Sequence, residues 1–524
     1  MHELELKFSV PDATRTALKT QIFIKDSQQQ VLGAYYFDTA NNDLTKAGIA
    51  LRIRYEASNE ARGDWVQTLK TRGDGVAKRV ELNVVLPLTG TPADIDLTKL
   101  CPDLSKIAEP SVIKQLEMMG NLEDLQNNLK IQYYTDVKRQ TRLIKKADTQ
   151  IEVAYDLGKV SNGNFQGKTP IEQSTSAKTC KPINSTPIHE VEFELLSGDP
   201  QILIDTAKQW CKRHKLVLST ITKAQRGNLL LTQQKFANPT KSDLDFLTHS
   251  LNKNMNQHDF LQAVVNNCLA QILPNASAIA EGSPDGNHVH QIRVGIRRLR
   301  TALKMFKHFS SAINPEWRNG LAHTFGLLGE YRDREILKIK TQPMLESLGA
   351  PHITWDTDVK VMPIDAVCAN DFQLVLLELI AFTHLPQDKG SQKAKPALVK
   401  ILDKLFSKIA KASSHFASLD TESQHQVRKD LKTLRYVCEF ADSLFEDKKH
   451  GDKKAKAFIK YLEPAQDVLG EYNDNVVGHA HYQAKAKTDP KALFAVGWFG
   501  GQEKASSEKC ADSLKTVKKA PKFW

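Results

Sequence analysis

The chain has 524 residues, too many for one compact core, so at least two domains are expected. With 41% hydrophobic and 25% charged residues it is ordinary globular material, which excludes a disordered or fibrous chain. The 72 Lys and Arg against 61 Asp and Glu leave +11, a mild excess that suits a polyanion without naming one.

No run of about 18 apolar residues occurs, so no membrane-spanning helix is expected. The start, Met-His-Glu-Leu-Glu-Leu-Lys, lacks a charged-then-apolar signal sequence. Seven cysteines (Cys101, Cys180, Cys211, Cys268, Cys368, Cys438 and Cys510) are scattered, odd in number and without C-x-x-C. They read as reduced intracellular thiols, with neither a disulfide framework nor a zinc site, and the expected location is cytoplasmic.

Residues 1–235 read as one domain, built mainly of strands with a period of two. Glu3 to Lys7, Ala50 to Arg54, Trp65 to Lys70, Lys78 to Leu86, Ile151 to Asp156 and Glu190 to Leu195 all alternate. Turn signals lie between or beside them, at Asn41-Asn42, Arg72-Gly73-Asp74-Gly75 and Ser161-Asn162-Gly163-Asn164. Helices are expected near 111–129 and 199–215, and an exposed hairpin extension over 161–187. Gly48 and Gly158 read as turn residues. Tyr35-Tyr36-Phe37-Asp38-Thr39 is a further strand whose aromatics pack, with Asp38 an outside candidate for the site. Strands at these intervals suggest a sandwich or a barrel.

Residues i, i+2 and i+4 of a strand share a face. Glu3, Glu5 and Lys7 therefore point together, as do Arg52 with Arg54, Arg79 with Glu81, Glu152 with Asp156, and Glu190 with Glu192 and Glu194. The opposite faces are mostly apolar. One such strand reads as a solvated face; several, carrying both signs, fit a wet lumen whose apolar outside packs on helices. Paired carboxylates are hard oxygen ligands for Mg²⁺ or Mn²⁺. Arg and Lys on facing strands would clamp phosphate oxygens. Hydrolysis of a polyphosphate chain requires both. No G-x-x-x-x-G-K-[ST] or G-x-G-x-x-G occurs, which disfavours P-loop and Rossmann nucleotide binding.

Taken in order, Glu3-x-Glu5-x-Lys7, Leu51-Arg52-Ile53-Arg54, Gln67 to Thr71, Arg79-x-Glu81, Glu152-x-x-x-Asp156-x-Gly158, Glu190-x-Glu192-x-Glu194 and Lys223-Ala-x-Arg226-Gly227 resemble the CYTH domain, the triphosphate tunnel metalloenzymes. The resemblance covers about residues 1–232. It implies an α+β domain, an eight-stranded antiparallel β tunnel or barrel with flanking helices, that uses Mg²⁺ or Mn²⁺ on triphosphate substrates. Carried over, it makes Glu3, Glu5, Lys7, Glu190 and Glu192 catalytic, with Glu3, Glu5, Glu190 and Glu192 as metal ligands. Arg52, Arg54, Lys70, Arg79, Arg139 and Lys223 become substrate ligands, and Glu81, Glu152, Asp156 and Glu194 complete an acidic lining. Arg139 is chosen over Arg142 because it keeps parity with Thr135.

After a linker at 236–244, residues 245–524 read as an all-α domain with breaks at 282–287, 350–363 and 385–394. A repeat lies within it. His290-Gln-Ile-Arg293-Val-Gly-Ile-Arg297-Arg298-Leu-Arg300 matches His425-Gln-Val-Arg428-Lys429-Asp-Leu-Lys432-Thr-Leu-Arg435. Downstream of each, Leu328-Gly-Glu-Tyr-Arg-Asp333 matches Leu469-Gly-Glu-Tyr-Asn-Asp474. Duplication into two pseudo-repeated helical bundles follows. On each leading helix His290, Arg293, Arg297 and Arg300, or His425, Arg428, Lys432 and Arg435, form a basic stripe beside an apolar one. Each stripe repels itself and needs an anionic partner, part of which Glu330, Asp333, Glu471 and Asp474 could supply.

These motifs resemble the CHAD domain, from about residue 245 to 520. The resemblance implies a basic groove that binds inorganic polyphosphate. Lys432 and Lys429 stand where the family has arginine in part, and lysine lacks bidentate reach. The combined expectation is a cytoplasmic inorganic triphosphatase with a polyphosphate-binding module. Nucleic acid is disfavoured, no membrane is involved and the oligomeric state stays open. The alternatives are a thiamine or nucleoside triphosphatase, a class IV-type adenylyl cyclase, or a non-catalytic polyphosphate receptor.

Overall fold

Strand alternation sorts the first half of the chain into a charged face and an apolar one. The computed structural model describes residues 2–58, 63–72, 78–163, 184–355, 359–386, 388, 390–445 and 454–524. Nine strands form one antiparallel sheet: β1 (His2–Ser9), β2 (Gln28–Asp38), β3 (Ala50–Ser58), β4 (Asp64–Arg72), β5 (Lys78–Leu86), β6 (Lys130–Lys146), β7 (Thr149–Ser161), β8 (Ser185–Ser197) and β9 (Val217–Leu218). Their spatial order is β5-β4-β3-β2-β6-β7-β8-β1-β9. The expectation of eight strands closed into a tunnel is corrected here. β1 meets β5 over three pairs, His2↔Val80, Glu3↔Arg79 and Leu4↔Lys78, while β9 pairs with Phe8 and Ser9 further along the same edge. The returning chain thus occupies part of the seam that a closed eight-stranded barrel would give to β5 alone. The proposed hairpin extension falls largely on 164–183, outside the described residues.

The apolar face is covered by helices. Tyr35, Ile53, Tyr55, Trp65 and Leu69 pack with Val112 and Leu116 of α3 (Pro110–Glu117) and Leu125 of α4 (Leu122–Asn128), where α1 is Arg15–Ile22 and α2 is Asp43–Lys46. Pro110 suits the first turn of α3, and the Asn121 side chain caps α4 by accepting from the backbone N–H of Glu123 and Asp124. Behind β1 and β8, Phe8 meets Phe193 edge-on at 5.6 Å. Phe193 in turn meets Trp210 of α5 (Pro200–His214) at 5.3 Å. On the charged face an apolar floor of Leu32, Ala34, Tyr36, Tyr133, Val137, Val160 and Ile188 receives Ala224, Leu230 and Leu231 of α6 (Lys223–Leu231).

Two glycines differ from each other. Gly48 has φ +73° and serves the turn before β3, as expected. Gly158 corrects its reading as a turn residue: it lies inside β7, where a Cβ would come within 2.0 Å of the Asp136 carbonyl on β6. Asp38, the outside site candidate, is buried and accepts the backbone N–H of Thr39 (2.8 Å), Leu44 (2.9 Å) and Thr45 (3.0 Å). It pins α2 to the end of β2.

The chain beyond α6 is helical: α7 (Leu244–Ser250), α8 (Gln257–Ala280), α9 (Gly286–Met305), α10 (Glu316–Ile336), α11 (Gln342–Ser347), α12 (Pro363–Cys368), α13 (Asn370–Thr383), α14 (Ala394–Ala412), α15 (Thr421–Phe445), α16 (Lys454–Ala486) and α17 (Leu493–Val517). Among the described residues no helix is long and apolar enough to cross a membrane. Two compact units emerge. The first is Met1–Thr240 with Leu273–Ser283 and Val367–Ala381; the second is Lys241–Ile272, Pro284–Ala366 and Phe382–Trp524. In the second, α9 buries Ile292, Ile296, Leu299 and Leu303, and α15 buries Val427, Leu431, Leu434 and Cys438. The first leading helix precedes the Leu328–Asp333 motif on α10, and the second precedes Leu469–Asp474 on α16.

Asp38→Ala is expected to destabilise the first unit by about 2–3 kcal/mol, since two buried backbone donors and a partly buried one lose their acceptor. Chemical denaturation checks this, and a loss under about 0.5 kcal/mol would contradict the role given to the carboxylate.

Candidate functional site

Period-two parity places the charged side chains of seven strands around one cavity of about 1180 Å³. Glu5 and Lys7 come from β1, Arg52 and Arg54 from β3, Lys70 from β4, Glu81 from β5, Arg139 from β6, Glu152 from β7, and Glu192 and Glu194 from β8; Lys223 enters from the first residue of α6. Glu3 and Arg79 are register partners across β1 and β5, but their side chains lie outside the described residues. Arg142 is turned the other way and donates to the Gln21 carbonyl on α1 at 2.6 Å.

Register sets the levels of the cavity. Glu5 stands opposite Glu194, and Glu194 opposite Glu152, so three carboxylates form a row across β1, β8 and β7. Lys7 stands opposite Glu192. Glu190 stands opposite Asp156, which stands opposite Arg139. Glu5 and Glu190 therefore stand at different levels of the cavity.

The deeper level is a charge cluster. Lys223 Nζ lies 2.6 Å from Glu190, 2.7 Å from Asp156 and 3.0 Å from Glu192. Arg139 donates to both oxygens of Asp156, at 2.8 and 2.7 Å, and also to Glu192. Burial opposes ionisation of Asp156, but Arg139 and Lys223 outweigh it and hold the carboxyl below its usual range. Glu192 behaves alike: burial is overcome by Lys223, Arg139 and Lys7, and its carboxyl sits well below the ordinary value. For Lys223 burial is overcome by Asp156, Glu190 and Glu192, which hold its proton tightly. These groups are locked in their charged forms.

The shallower level is different. Burial, then repulsion from Glu5 and Glu152, pushes the Glu194 carboxyl up, with Lys70 pulling the other way. Lys70 is itself paired with Glu81. Along β3, burial and then the Arg52 charge push Arg54 down to about 10, although Glu56 accepts from its Nε at 2.5 Å. Arg52 donates to the Tyr36 hydroxyl at 3.3 Å. One end of the cavity thus crowds negative charge and another crowds positive charge.

Two carboxylate groups could hold a cation. Asp156, Glu190 and Glu192 offer ligand atoms within 4.8 Å of one another, and one Glu190 oxygen is buried without a hydrogen-bond partner. Two cations already face those three carboxylates. Glu5, Glu152 and Glu194 carry three carboxyls with the Glu194 proton affinity raised by crowding, which is the condition a hard divalent cation relieves. The donor set fits such an ion.

Tyr36 and Glu56 were missed as cavity residues. Glu56 was legible, because it keeps parity with Arg52 and Arg54. Tyr36 was not, since Ala34 to Phe37 is apolar or aromatic at every position and shows no alternation.

In the second unit three guanidiniums of α9 gather over one ring. Arg293, Arg297 and Arg300 lie 4.5, 5.3 and 5.6 Å from the Phe325 centroid on α10. Gly329, within the repeated motif, makes room for Arg293, whose Nη1 would be 2.3 Å from an added Cβ; Gly470 in the second copy has open space. Burial and then Asp333 and Arg297 act on Arg293, which is pushed down to about 10. Lys432 of α15 is pushed down to about 7, by burial first and then by Arg428 and Arg297, with Asp474 opposing. His290 is lowered by burial and by Arg332, Arg297, Arg293 and Lys432. His425 is lowered by burial and Lys429, against a hydrogen bond with Asn473. Arg435 donates to Glu439 (2.8 Å) and Gln466 (2.9 Å), and Glu330 pairs with Arg334 on its own helix. Arg298 is buried, donating to Asn267 and Gln271 at 3.0 and 3.1 Å.

Two family models match this chain, one after the other. The CYTH domain family matches residues 1–227 and the CHAD domain family residues 263–483. The inorganic triphosphatase of Haemophilus influenzae is 29% identical over 268 residues, which is 50% of this chain and 60% of that protein. The chain therefore spans less than two thirds of that relative's length. Among solved structures, the CHAD domain of Ricinus communis aligns at 22% identity with a TM-score of 0.43, over 54% of this chain and 98% of that one. A putative adenylyl cyclase from Hippeastrum, described as having a dominant triphosphatase activity, aligns at 15% identity with a TM-score of 0.27, over 44% and 96% of the two chains. The chain carries a CYTH domain followed by a CHAD domain, and belongs to the proteins that join these two families.

Proposed function

We propose that the first domain hydrolyses inorganic triphosphate to phosphate and pyrophosphate with Mg²⁺ or Mn²⁺. The observation that carries this reading is the cavity in which Arg52, Arg54 and Lys70 face the same space as the row Glu5, Glu152 and Glu194. The likeness to an inorganic triphosphatase and to the CYTH family supports it. Arg52 and Arg54 present guanidiniums to phosphate oxygens, and a chain of anions would relieve the repulsion that weakens Arg54. Lys70 and Lys7 extend the same grip toward β1 and β4. Glu5, Glu152 and Glu194, with Glu3 and Glu192 as further candidates, would hold the divalent cation. Bound there, that cation neutralises phosphate charge and polarises phosphorus for attack by water. The Lys223–Asp156–Glu190–Glu192–Arg139 cluster keeps the deep end of the cavity rigid. A receptor that only grips anions gains nothing from the carboxylate row, which favours catalysis over passive binding.

For the second domain we propose binding of inorganic polyphosphate along the His290 and His425 stripes. Buried guanidiniums and an ammonium with weakened proton affinity are the signature of cations crowded without enough counter-charge. The repeated order of stripe helix and motif helix supports two related bundles.

Glu5→Gln and Glu194→Gln should each lower triphosphate turnover about 100-fold or more while leaving the fold intact. Both should also weaken Mn²⁺ binding measured by calorimetry. Near-normal turnover in both variants would overturn the carboxylate row as the metal site. Phosphate release from tripolyphosphate, ATP, thiamine triphosphate and pyrophosphate separates the substrate alternatives.

Lys432 makes polyphosphate capture pH-dependent. Arg428 and Arg435 on α15 and Arg297 on α9 push against its proton, His290 on α9 adjoins it, and Asp474 on α16 holds it. Because the folded, free value is about 7, the ammonium is lost as pH rises above that point. Affinity should therefore fall between pH 6 and 9, and binding near pH 8 should take up a proton. Lys432→Arg should flatten this dependence, as followed by calorimetry in buffers of differing ionisation enthalpy.

A further inference from the structure

The segment 217–226 holds two of the cavity's ammonium groups, carrying Lys223 and binding Lys7 of β1. On its inner side Lys7 Nζ donates to the Ile221 carbonyl, and Ser219 N–H donates to the Lys7 carbonyl at 2.8 Å. Two residues on, Lys223 reaches Asp156, Glu190 and Glu192. The segment itself has little regular structure, comprising the two-residue β9, a loop and the first turn of α6. Its geometry must be held from elsewhere.

The opposite side of the segment is bonded to the parts of the first unit that lie far along the chain, Leu273–Ser283 and Val367–Ala381. Leu218 N–H donates to Gln373 Oε1 at 2.8 Å, and Gln373 Nε2 donates to the Val367 carbonyl at 2.6 Å, which orients the amide. Thr220 N–H donates to Ser277 Oγ at 3.1 Å, and that hydroxyl donates to the Leu273 carbonyl at 2.8 Å. Arg226 Nη2 donates to Glu281 Oε1 at 2.5 Å. Gln373 and Ser277 are 1% and 2% exposed, so no water stands ready to replace them. Three consecutive anchors thus fall at residues 218, 220 and 226, bracketing Ile221 and Lys223.

We propose that Gln373, Ser277 and Glu281 are positioning residues for the cavity lysines Lys7 and Lys223, so that the working site includes side chains from within the CHAD match. The consequence for the reaction rests on the triphosphatase reading above. A chain cut off near residue 235 would retain the strands and lose this brace.

The test uses the full chain and two readouts. Ser277→Ala and Gln373→Leu should lower kcat for tripolyphosphate about 10-fold or more, a misplacement effect on reacting groups. Both should speed amide exchange at Leu218 and Thr220 while β6 to β8 stay protected. Ser277→Thr, which restores the hydroxyl, should recover kcat. Glu281→Gln, at a partly exposed pair, gives a milder loss and guards against misfolding of the buried variants. Glu378→Gln breaks the 2.7 Å pair with Lys208 on the same segment without touching 217–226, and should leave kcat unchanged. Wild-type kcat and exchange in Ser277→Ala, Gln373→Leu and Glu281→Gln would overturn the brace. A wild-type protein inert toward tripolyphosphate would instead overturn the triphosphatase reading, and the exchange data would then decide the brace alone.

Discussion

The buried charge cluster of Lys223 and Arg139 with Asp156, Glu190 and Glu192 is the constraint on which the rest of the first domain depends. Charged groups removed from water are costly unless each finds an opposite charge at hydrogen-bond distance. Here they do, through contacts between β6, β7, β8 and α6. Removing one partner would strand the others, so the cluster tolerates only one arrangement of those four elements. That arrangement in turn orients the remaining inner-face charges.

Above the cluster the cavity is deliberately unbalanced. Glu194 is pushed toward protonation by burial and then by its acidic neighbours, while Arg54 is pushed toward losing its proton by burial and then by Arg52. Under the proposed function, each half of this imbalance would be relieved by a different component, a divalent cation on one wall and phosphate oxygens on the other. The helical domain shows the second half alone: cations crowded over Phe325 and around Lys432, with Asp333 and Asp474 as partial counter-charge.

Much of this was legible in one dimension. Strand parity grouped Glu5 with Lys7, Arg52 with Arg54 and Glu190 with Glu192, because the backbone period of two is local. Helical spacing separated the basic stripe of α9 from Ile292, Ile296 and Leu299 for the same reason. Parity failed where side chains on both faces are apolar, which hid Tyr36. It also failed at Gly158, since a glycine that admits a neighbouring carbonyl looks the same in sequence as one that turns the chain. Asp38 was only an outside candidate for the site, because a carboxylate gives no hint of whether it will meet a substrate or three backbone donors.

By itself, the sequence determined which side chains share a face, where the chain changes from strands to helices, and that two motifs recur in order. Those are properties of local geometry. Only the tertiary structure decided the level at which each carboxylate stands, the pairing of Asp156, Glu190 and Glu192 with Lys223 and Arg139, and the ninth strand on the seam of the sheet. It also decided that Ser277, Glu281 and Gln373 complete the first unit. Register and long-range hydrogen bonds depend on which distant segments meet, and no spacing within a segment encodes that.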